Sequence, residues 1–239
     1  MSTSHGEEGV IDRKVIFCDR LQAFETHELI KTCPECHDFF LYCCHCSMES
    51  RVNNEPRPCH HFRLVFTDGA CRLNGQVGAT AGIGIAYGEE TGSQRATSIT
   101  SLSDPGQKRT SQRAELLAAL AGLRVLGAAH QLNEKESVKT EAKSRRSQDS
   151  KEKVWVIATD SEYVVKGMTE WLPSWKNNNL RTNRNTKPAN LDLFVKLDAE
   201  ITAQETVSPV KVGFWHVPRE HNAIADALAK EASLRGDLE

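Results

Sequence analysis

The sequence predicts an α/β fold in which helices flank one mixed sheet. Three strand-like segments lie close together between residues 64 and 102, and helical and strand-like segments alternate from there to the end of the chain. Short connections favour antiparallel neighbours, and strands separated by helices favour parallel ones. The sheet is therefore expected to contain both kinds of pairing.

Apolar runs predict the first three strands. Residues 64–67 (Leu-Val-Phe-Thr) are followed by Asp68-Gly69, which is a turn signal. Residues 81–87 alternate small and larger apolar side chains, and residues 95–102 form a third candidate. Because the spacings are so short, the three strands are expected to form an antiparallel meander.

The later elements follow from helical periodicity and from buried runs. Leucines recur at helical spacing over residues 116–126. Residues 154–159 are the strongest buried-strand run, and they end at Asp160. Ser161 can cap the next helix, which Pro173 should break or kink. A helix over residues 191–203, a strand over 210–217 and a last helix capped by Asn222 complete the pattern.

Composition divides the chain into two parts. Seven of the eight cysteines and six of the nine histidines fall within residues 1–61, which we interpret as a Cys/His-rich N-terminal extension. Residues 62–236 form the main domain, in which the polar stretch at about 131–153 is expected to be a disordered insertion. The net charge is −4 for residues 1–62 and +2 for residues 63–239, so any binding of nucleic acid must rest on local basic patches.

The expected location is an intracellular, reducing compartment, either the nucleus or the cytoplasm, and not outside the cell. No run of about 18 apolar residues exists, so neither a membrane-spanning helix nor a membrane partner is expected. The N-terminus lacks the basic and apolar regions of a secretory signal. In a reducing compartment, clustered cysteines indicate metal ligands rather than disulfides.

Four carboxylates stand at positions that the pattern predicts to be buried. Asp68 and Asp160 follow buried strands, Glu115 lies on the inner side of an apolar helix, and Asp226 sits one turn into the last helix. Buried carboxylates need positive compensation, which divalent cations provide. Hard oxygen ligands suit Mg²⁺ or Mn²⁺, and two such ions roughly 3.5–4 Å apart can catalyse phosphodiester displacement. Each acid alone has an ordinary structural explanation, but the four together favour a metal site.

The neighbours of these acids resemble the ordered signature of ribonuclease H, type 1, over about residues 63–236. The matching segments are Thr67-Asp68-Gly69-Ala70, Gln112-Arg113-Ala114-Glu115-Leu116, Ala158-Thr159-Asp160-Ser161-Glu162-Tyr163 and His221-Asn222-Ala223-Ile224-Ala225-Asp226-Ala227-Leu228-Ala229. The resemblance implies the ribonuclease H-like fold, a five-stranded mixed sheet of three antiparallel and two parallel strands flanked by helices. It also implies Mg²⁺-dependent endonucleolytic hydrolysis of the RNA strand of an RNA–DNA hybrid. The counterparts of Asp68, Glu115, Asp160 and Asp226 hold two metal ions in that family, with water as the nucleophile and a 3′-hydroxyl as the leaving group.

The segment from Trp171 to Asn190 suits a sugar-phosphate backbone, because it contains two tryptophans, four Lys/Arg and no acid. Core packing and DNA contact are both open for Trp171, and DNA contact is the favoured role for Trp175, which follows the proline. The segment is similar to the DNA-binding handle and channel of type 1 enzymes. Leu180 departs from that pattern, because many members have another tryptophan there.

The resemblance implies two further sets of substrate contacts. Lys108, Thr110 and Asn190 match the family's pocket for a DNA phosphate, with Lys108 replacing a more usual arginine. Asn74 and Gln112 match residues that reach base edges and sugars in the minor groove. Because such recognition depends on RNA 2′-hydroxyls, double-stranded DNA should be refused.

The loop before Asp226 departs most from the family. Many members place a histidine in a longer, glycine-rich loop there, whereas residues 215–222 are compact and lack those glycines. His221 is the nearer candidate for that role and can act as a proton shuttle. The alternative is an exposed neighbour of the helix cap.

The extension offers zinc ligands in two C-x₂-C pairs. The first set is Cys33, Cys36, Cys43 and Cys46, and four thiolate or imidazole ligands suit tetrahedral Zn²⁺. Because six residues are a short spacer, one pair can be replaced by Cys59, His60 or His61. Free thiols are the alternative, and the resemblance assigns this segment no role.

Two rival functions remain open from the sequence. One is a catalytically inactive ribonuclease H-like module that binds hybrids or proteins, against which all four acids argue. The other makes the zinc-binding extension the functional element, which deletion of residues 1–60 would test.

Overall fold

The computed structural model of the chain describes residues 8–44, 60–139 and 153–236. In chain order its strands are β1 (Gly9–Ile11), β2 (Lys14–Ile16), β3 (Ile30–Thr32), β4 (Phe39–Leu41), β5 (Phe62–Arg72), β6 (Thr80–Ala86), β7 (Gln94–Ser98), β8 (Lys153–Thr159) and β9 (Val210–His216). Its helices are α1 (Thr26–Leu29), α2 (Ser111–Lys139), α3 (Glu162–Lys166), α4 (Leu172–Asn177), α5 (Leu191–Val207) and α6 (Ala223–Arg235). A π-helical turn, Gly167–Trp171, joins α3 to α4.

The predicted five-stranded mixed sheet is confirmed, with the spatial order β7-β6-β5-β8-β9. β6 pairs antiparallel with β5 and with β7, as expected for strands with short connections. β8 pairs parallel with β5 and with β9, and helices occupy the connections that parallel strands require. β5 and β8 therefore lie side by side at the centre of the sheet.

The N-terminal extension adds short strands to the same sheet, which its sequence did not indicate. β1 and β2 form a hairpin whose second strand runs parallel to β9, with Lys14 opposite Phe214. β3 and β4 form a second hairpin, and β4 pairs antiparallel with the start of β5, with Phe40 opposite Arg63. The boundary at residue 61 stays a prediction, but strands on both sides of it belong to one sheet.

Both faces of the central sheet are buried. On one face, Trp155 and Ile157 of β8 pack with leucines of α2 and with Phe194 of α5. On the other face, Val154 and Val156 of β8 pack against the extension and α6. The buried side chains of the extension in this second cluster include Val15, Leu21, Leu29, Phe39 and Leu41. Because both faces are covered, β8 is apolar along almost its whole length.

β5 continues through the predicted turn at Asp68-Gly69 and pairs with β6 as far as Arg72. Gly69 is required for another reason, since a side chain there would collide with the backbone of α2 at Ala114 and Glu115. The glycine thus permits close approach of α2 to β5. Asp68 consequently lies within a strand and not at its end.

The remaining differences concern helix ends. α2 continues to Lys139 and so includes the start of the insertion predicted at 131–153, because residues 131–139 contain mostly good helix formers. Residues 140–152 of that prediction lie outside the described residues. The kink expected at Pro173 is a π-helical turn that ends just before α4, where the proline occupies the first turn. None of the helices described is long and apolar enough to cross a membrane.

Candidate active site

The four predicted carboxylates come from four elements that meet at one end of β5 and β8. The parallel register places Phe66 opposite Ala158. Asp68, two residues further along β5, and Asp160, the residue directly after β8, therefore reach the same level. α2 crosses β5 at Gly69, whose N–H donates to Glu115 Oε2 at 3.2 Å. Asp226 lies in the first turn of α6, which packs on β5 and β6.

Asp68 and Glu115 carry the largest pKa changes in this group. Burial, followed by the neighbouring charges of Asp160 and Asp226, raises the pKa of Asp68 from 3.8 to about 7. Burial and the charges of Asp68 and Asp160 raise the pKa of Glu115 from 4.5 to about 9. These causes mean that the site concentrates negative charge in a desolvated position. A bound cation would remove this penalty.

Two positively charged side chains already compensate the charge of Asp226. Arg219 donates to its Oδ1 at 2.7 Å and Lys230 donates to its Oδ2 at 2.6 Å. Burial acts to raise the pKa of Asp226, but these hydrogen bonds outweigh it and hold the pKa below its usual value. Asp226 is therefore ionised and held by Arg219 and Lys230, on the side of the site nearest α6.

Asn222 is a site residue that the sequence did not reveal. It stands at the start of α6 as predicted, but its side chain does not cap the helix. Instead, its Nδ2 donates to Asp160 Oδ1 at 2.7 Å and to the Thr67 carbonyl at 3.1 Å, and the residue is fully buried. It therefore orients the Asp160 carboxylate and ties α6 to β5. The two partners are far apart in sequence, so no local pattern could have indicated this contact.

His221 lies in a 3₁₀ turn, Arg219–His221, directly before α6. Its ring is stacked on that of His27 from α1, with centroids 6.4 Å apart. The side chain of this turn that contacts a predicted catalytic carboxylate is that of Arg219. The extension thus reaches the loop beside the carboxylates, and the catalytic role of His221 stays a prediction.

Four of the predicted substrate contacts surround the N-terminus of α2. Asn74 Oδ1 accepts the Ser111 N–H at 3.0 Å, and Thr110 Oγ1 accepts a backbone N–H of the same helix at 3.3 Å. Asn190 Nδ2 donates to Gln112 Oε1 at 3.5 Å. Lys108 is exposed just before this group. The positive end of the helix dipole and the nearby cation favour an anion here, although the Ser111 and Arg113 N–H groups already donate to Asn74 and Thr110.

The two tryptophans form a partly exposed aromatic group with Tyr163 and Phe194. Trp175 packs edge-on against Phe194, with centroids 5.3 Å apart, and lies 6.3 Å from Trp171. Trp171 packs against Tyr163 at 5.6 Å. Trp175 therefore contributes to packing more than its position after the proline suggests. Leu180 is 39% exposed at the end of this segment.

Arg113, in the same motif as Glu115, is a second residue whose role the sequence did not show. It is buried and donates to Asp104 at 2.6 Å and to Asp192, at the start of α5, at 2.8 Å. These ion pairs join the first turns of α2 and α5. The arginine thus fixes the helix that carries Glu115.

Two of the predicted zinc ligands, Cys33 and Cys36, lie together with His60, one of the predicted substitutes. Cys33, Cys36 and His60 have ligand atoms all within 4.8 Å of one another, and so do Glu8, Cys18 and Cys44. Within the described ranges, the four carboxylates form no group as tight as these two. Cys43 belongs to neither group and is buried in the second apolar cluster, and its role as a ligand stays a prediction. Cys46 and Cys59 lie outside the described residues, and the ring of His61 packs on Phe62.

Known proteins match the main domain of this chain. The family model of RNase H matches residues 61–234. A ribonuclease H from Marinobacter nauticus is 32% identical over 174 residues, covering 72% of this chain and 92% of that protein. Ribonuclease H1 from Rattus norvegicus is 29% identical over 178 residues, covering 73% of this chain and 51% of that protein. The solved structure of LC11-RNase H1 in complex with an RNA/DNA hybrid is 22% identical, with a TM-score of 0.44, and covers 72% of this chain and 96% of that one. The family match begins at residue 61, so most of the Cys/His-rich extension lies outside it.

Proposed function

We propose that this chain, which is an enzyme of the ribonuclease H family, hydrolyses the RNA strand of RNA–DNA hybrids with two divalent metal ions. The observation that carries the proposal is the convergence of Asp68, Glu115, Asp160 and Asp226 from four separate elements of the family-matched domain. Burying this many acids together is unfavourable unless a cation joins them.

The donor set fits Mg²⁺ or Mn²⁺. It consists of carboxylate oxygens, the hard ligands that these ions prefer, and burial together with mutual repulsion raises the pKa of Asp68 and of Glu115. When bound, two such ions supply the charge that activates a water molecule and stabilises the attacking and leaving oxygens of the displacement.

The protein's own side chains prepare this site. Asn222 holds the Asp160 carboxylate in one orientation through a 2.7 Å hydrogen bond. Arg219 and Lys230 hold the Asp226 carboxylate from the other side. Pre-oriented carboxylates favour catalysis because little reorganisation is needed when the substrate phosphate arrives.

The hybrid is proposed to lie across the N-terminus of α2 and the aromatic group that contains Trp171 and Trp175. Asn74, Thr110, Gln112 and Asn190 form a linked polar surface, with the exposed Lys108 beside it. Trp171 and Trp175 add partly exposed rings on the side of Asn190. This arrangement suits a DNA phosphate on one side and minor-groove contacts, including RNA 2′-hydroxyls, on the other.

We also propose that the extension binds Zn²⁺, at a site separate from the carboxylates. Thiolate ligands require reduced cysteines, so this second proposal goes with an intracellular, reducing compartment. An inactive hybrid-binding or protein-interaction module is not favoured, because such a module would have no need for four converging acids.

The proposed activity is tested with an end-labelled RNA–DNA hybrid and Mg²⁺, beside RNA and DNA duplexes of the same sequence. The protein is expected to cut only the RNA strand of the hybrid. Asp160→Asn should abolish cutting, and the control Asp19→Asn, which changes an exposed acid outside the site, should leave it unchanged. No cutting by the parent protein, or equal cutting by Asp160→Asn, would refute the proposal.

A further inference from the structure

The turn between β3 and β4 holds two cysteine sulfurs in a compact loop. Cys33 N–H donates to the Asp38 carbonyl at 3.0 Å, and the His37 N–H donates back to the Cys33 carbonyl at 2.9 Å. The Glu35 N–H donates to Cys33 Sγ at 3.4 Å. His37 has a φ of +56°, a left-handed conformation that turns the chain directly after Cys36. The loop thus places both sulfurs of a C-x₂-C pair on one short turn, as in the knuckle of a zinc site.

His60 reaches the same loop from the segment before β5. Its Nε2 lies 3.4 Å from Cys36 Sγ, and the ligand atoms of Cys33, Cys36 and His60 are all within 4.8 Å of one another. Two ligands of one tetrahedral zinc, at Zn–S of about 2.3 Å and Zn–N of about 2.0 Å, are separated by roughly 3.5 Å. The separation of the sulfur and the ring nitrogen is therefore that of two ligands sharing an ion.

We infer that Cys33, Cys36 and His60 bind one Zn²⁺ that fastens the β3–β4 hairpin to the start of β5. The inference specifies the ligands and the structural role of the proposed zinc, and it does not depend on the hydrolytic activity. Two thiolates and an imidazole suit zinc, and a fourth donor completes the tetrahedron. None of the four carboxylates belongs to this group, and β4 pairs with β5 at Arg63, five residues before Asp68, so the proposed role of the ion is structural.

The ion would add a link between the hairpin and β5, where their strand pairing is short. The register between β4 and β5 has one pair of opposed residues, Phe40 and Arg63. Phe39 of the hairpin also packs edge-on against Phe66 of β5, with centroids 5.4 Å apart.

The turn is also held at the end of β6, where the Phe39 N–H donates to the Tyr87 carbonyl at 2.7 Å and the Glu89 N–H donates to the His37 carbonyl at 3.1 Å. The ion would add to these contacts a link to the segment that precedes β5. Zinc would join three segments, the end of β3, the turn before β4 and the residue that leads into β5.

The test measures zinc in the full-length protein by mass spectrometry after size-exclusion chromatography. We compare the parent with Cys33→Ser, Cys36→Ser and His60→Ala, and Cys71→Ser serves as the control because this half-buried cysteine lies at the other end of β5. The parent and the control should retain about one equivalent more zinc than the three ligand variants. On chelation of zinc, the thermal midpoints of the parent and of the control should fall by several degrees. The thermal midpoints of the ligand variants should stay unchanged.

Two further variants keep the test decisive if a ligand variant folds poorly. His60→Cys keeps a metal-binding atom and should retain zinc that His60→Ala loses, because only a ligand role is rescued by a thiol. Cys44→Ser alters the other group, Glu8–Cys18–Cys44, and should leave the zinc of the hairpin in place. Equal zinc in Cys36→Ser and Cys71→Ser, or zinc lost from Cys44→Ser but kept in Cys36→Ser, would overturn the inference. The zinc content is independent of hybrid cleavage, so the two proposals fail separately.

Discussion

Replacing Asp68 with asparagine should stabilise the metal-free protein while abolishing its activity. Burial and the charges of Asp160 and Asp226 raise the pKa of Asp68 from 3.8 to about 7. The folded protein thus binds this proton more tightly than the unfolded chain does, so the contribution of Asp68 to stability falls as the pH rises from about 4 to about 7. At about 1.36 kcal/mol per pH unit the whole difference amounts to on the order of 4 kcal/mol. Because neighbouring acids share this effect, we expect only part of the difference to be recovered by the substitution. The free energy of unfolding of Asp68→Asn, relative to that of the parent, should rise by about 2 kcal/mol between about pH 5 and about pH 8.

The assay is urea unfolding in the presence of EDTA at several pH values, followed by circular dichroism. Asp19→Asn is the control, because it removes an exposed carboxylate outside the site and should follow the parent at every pH. Addition of Mg²⁺ should stabilise the parent and leave Asp68→Asn nearly unchanged, since ion binding favours the folded state only where the ligands are intact. A stability difference that does not widen with pH would refute the assignment of Asp68 to a crowded, desolvated carboxylate cluster.

Three other substitutions test the contacts around the site. Asn222→Ala should lower kcat for hybrid cleavage about tenfold or more with little change in KM, because Asp160 loses a charge-assisted hydrogen bond; an unchanged kcat would contradict a positioning role. Arg219→Gln should lower the Mg²⁺ concentration needed for half-maximal rate several-fold, because the arginine competes for Asp226, and a higher requirement would speak against such competition. Asp104→Ala should destabilise the protein by about 3 kcal/mol in urea unfolding, because it leaves a buried guanidinium short of a partner. A loss below about 0.5 kcal/mol would show that the buried ion pair is not structural.

The central sheet was predictable because its signals are local. β8 is a continuous apolar run, and the three preceding strands are separated by short connections, so periodicity and loop length together indicated a mixed sheet. The four acids were predictable for a related reason, since each interrupts an apolar segment. Their neighbours supplied the order of motifs that the family match covers.

Long-range contacts were not predictable from these patterns. The local pattern at Gly69 predicts a turn. In the structure the glycine instead leaves room for the backbone of α2, which lies more than 40 residues away in sequence. The local pattern at Asn222 predicts a helix cap. In the structure its side chain donates a hydrogen bond to Asp160, 62 residues earlier. The strands of the extension have only three residues each, too few for a period to be recognised.

The role of the extension is better tested by substitutions than by deletion. Residues 9–41 add strands at the edges of the sheet and bury side chains such as Leu21 and Leu29 against its second face. Removal of residues 1–60 would expose that apolar face, so a loss of activity would not separate folding from function. Variants of the zinc ligands in the full chain keep the apolar contacts in place.

The most direct test of the central claim is the single-turnover rate of hybrid cleavage in Mg²⁺ for the parent and for Asp68→Asn, Glu115→Gln, Asp160→Asn and Asp226→Asn. Hybrid affinity is measured beside each rate, so that binding and chemistry are separated. If the four carboxylates act as one metal site, each substitution reduces the rate to the uncatalysed background while the variant still binds the hybrid. Cleavage near the parental rate by any two of these variants would contradict a shared catalytic site.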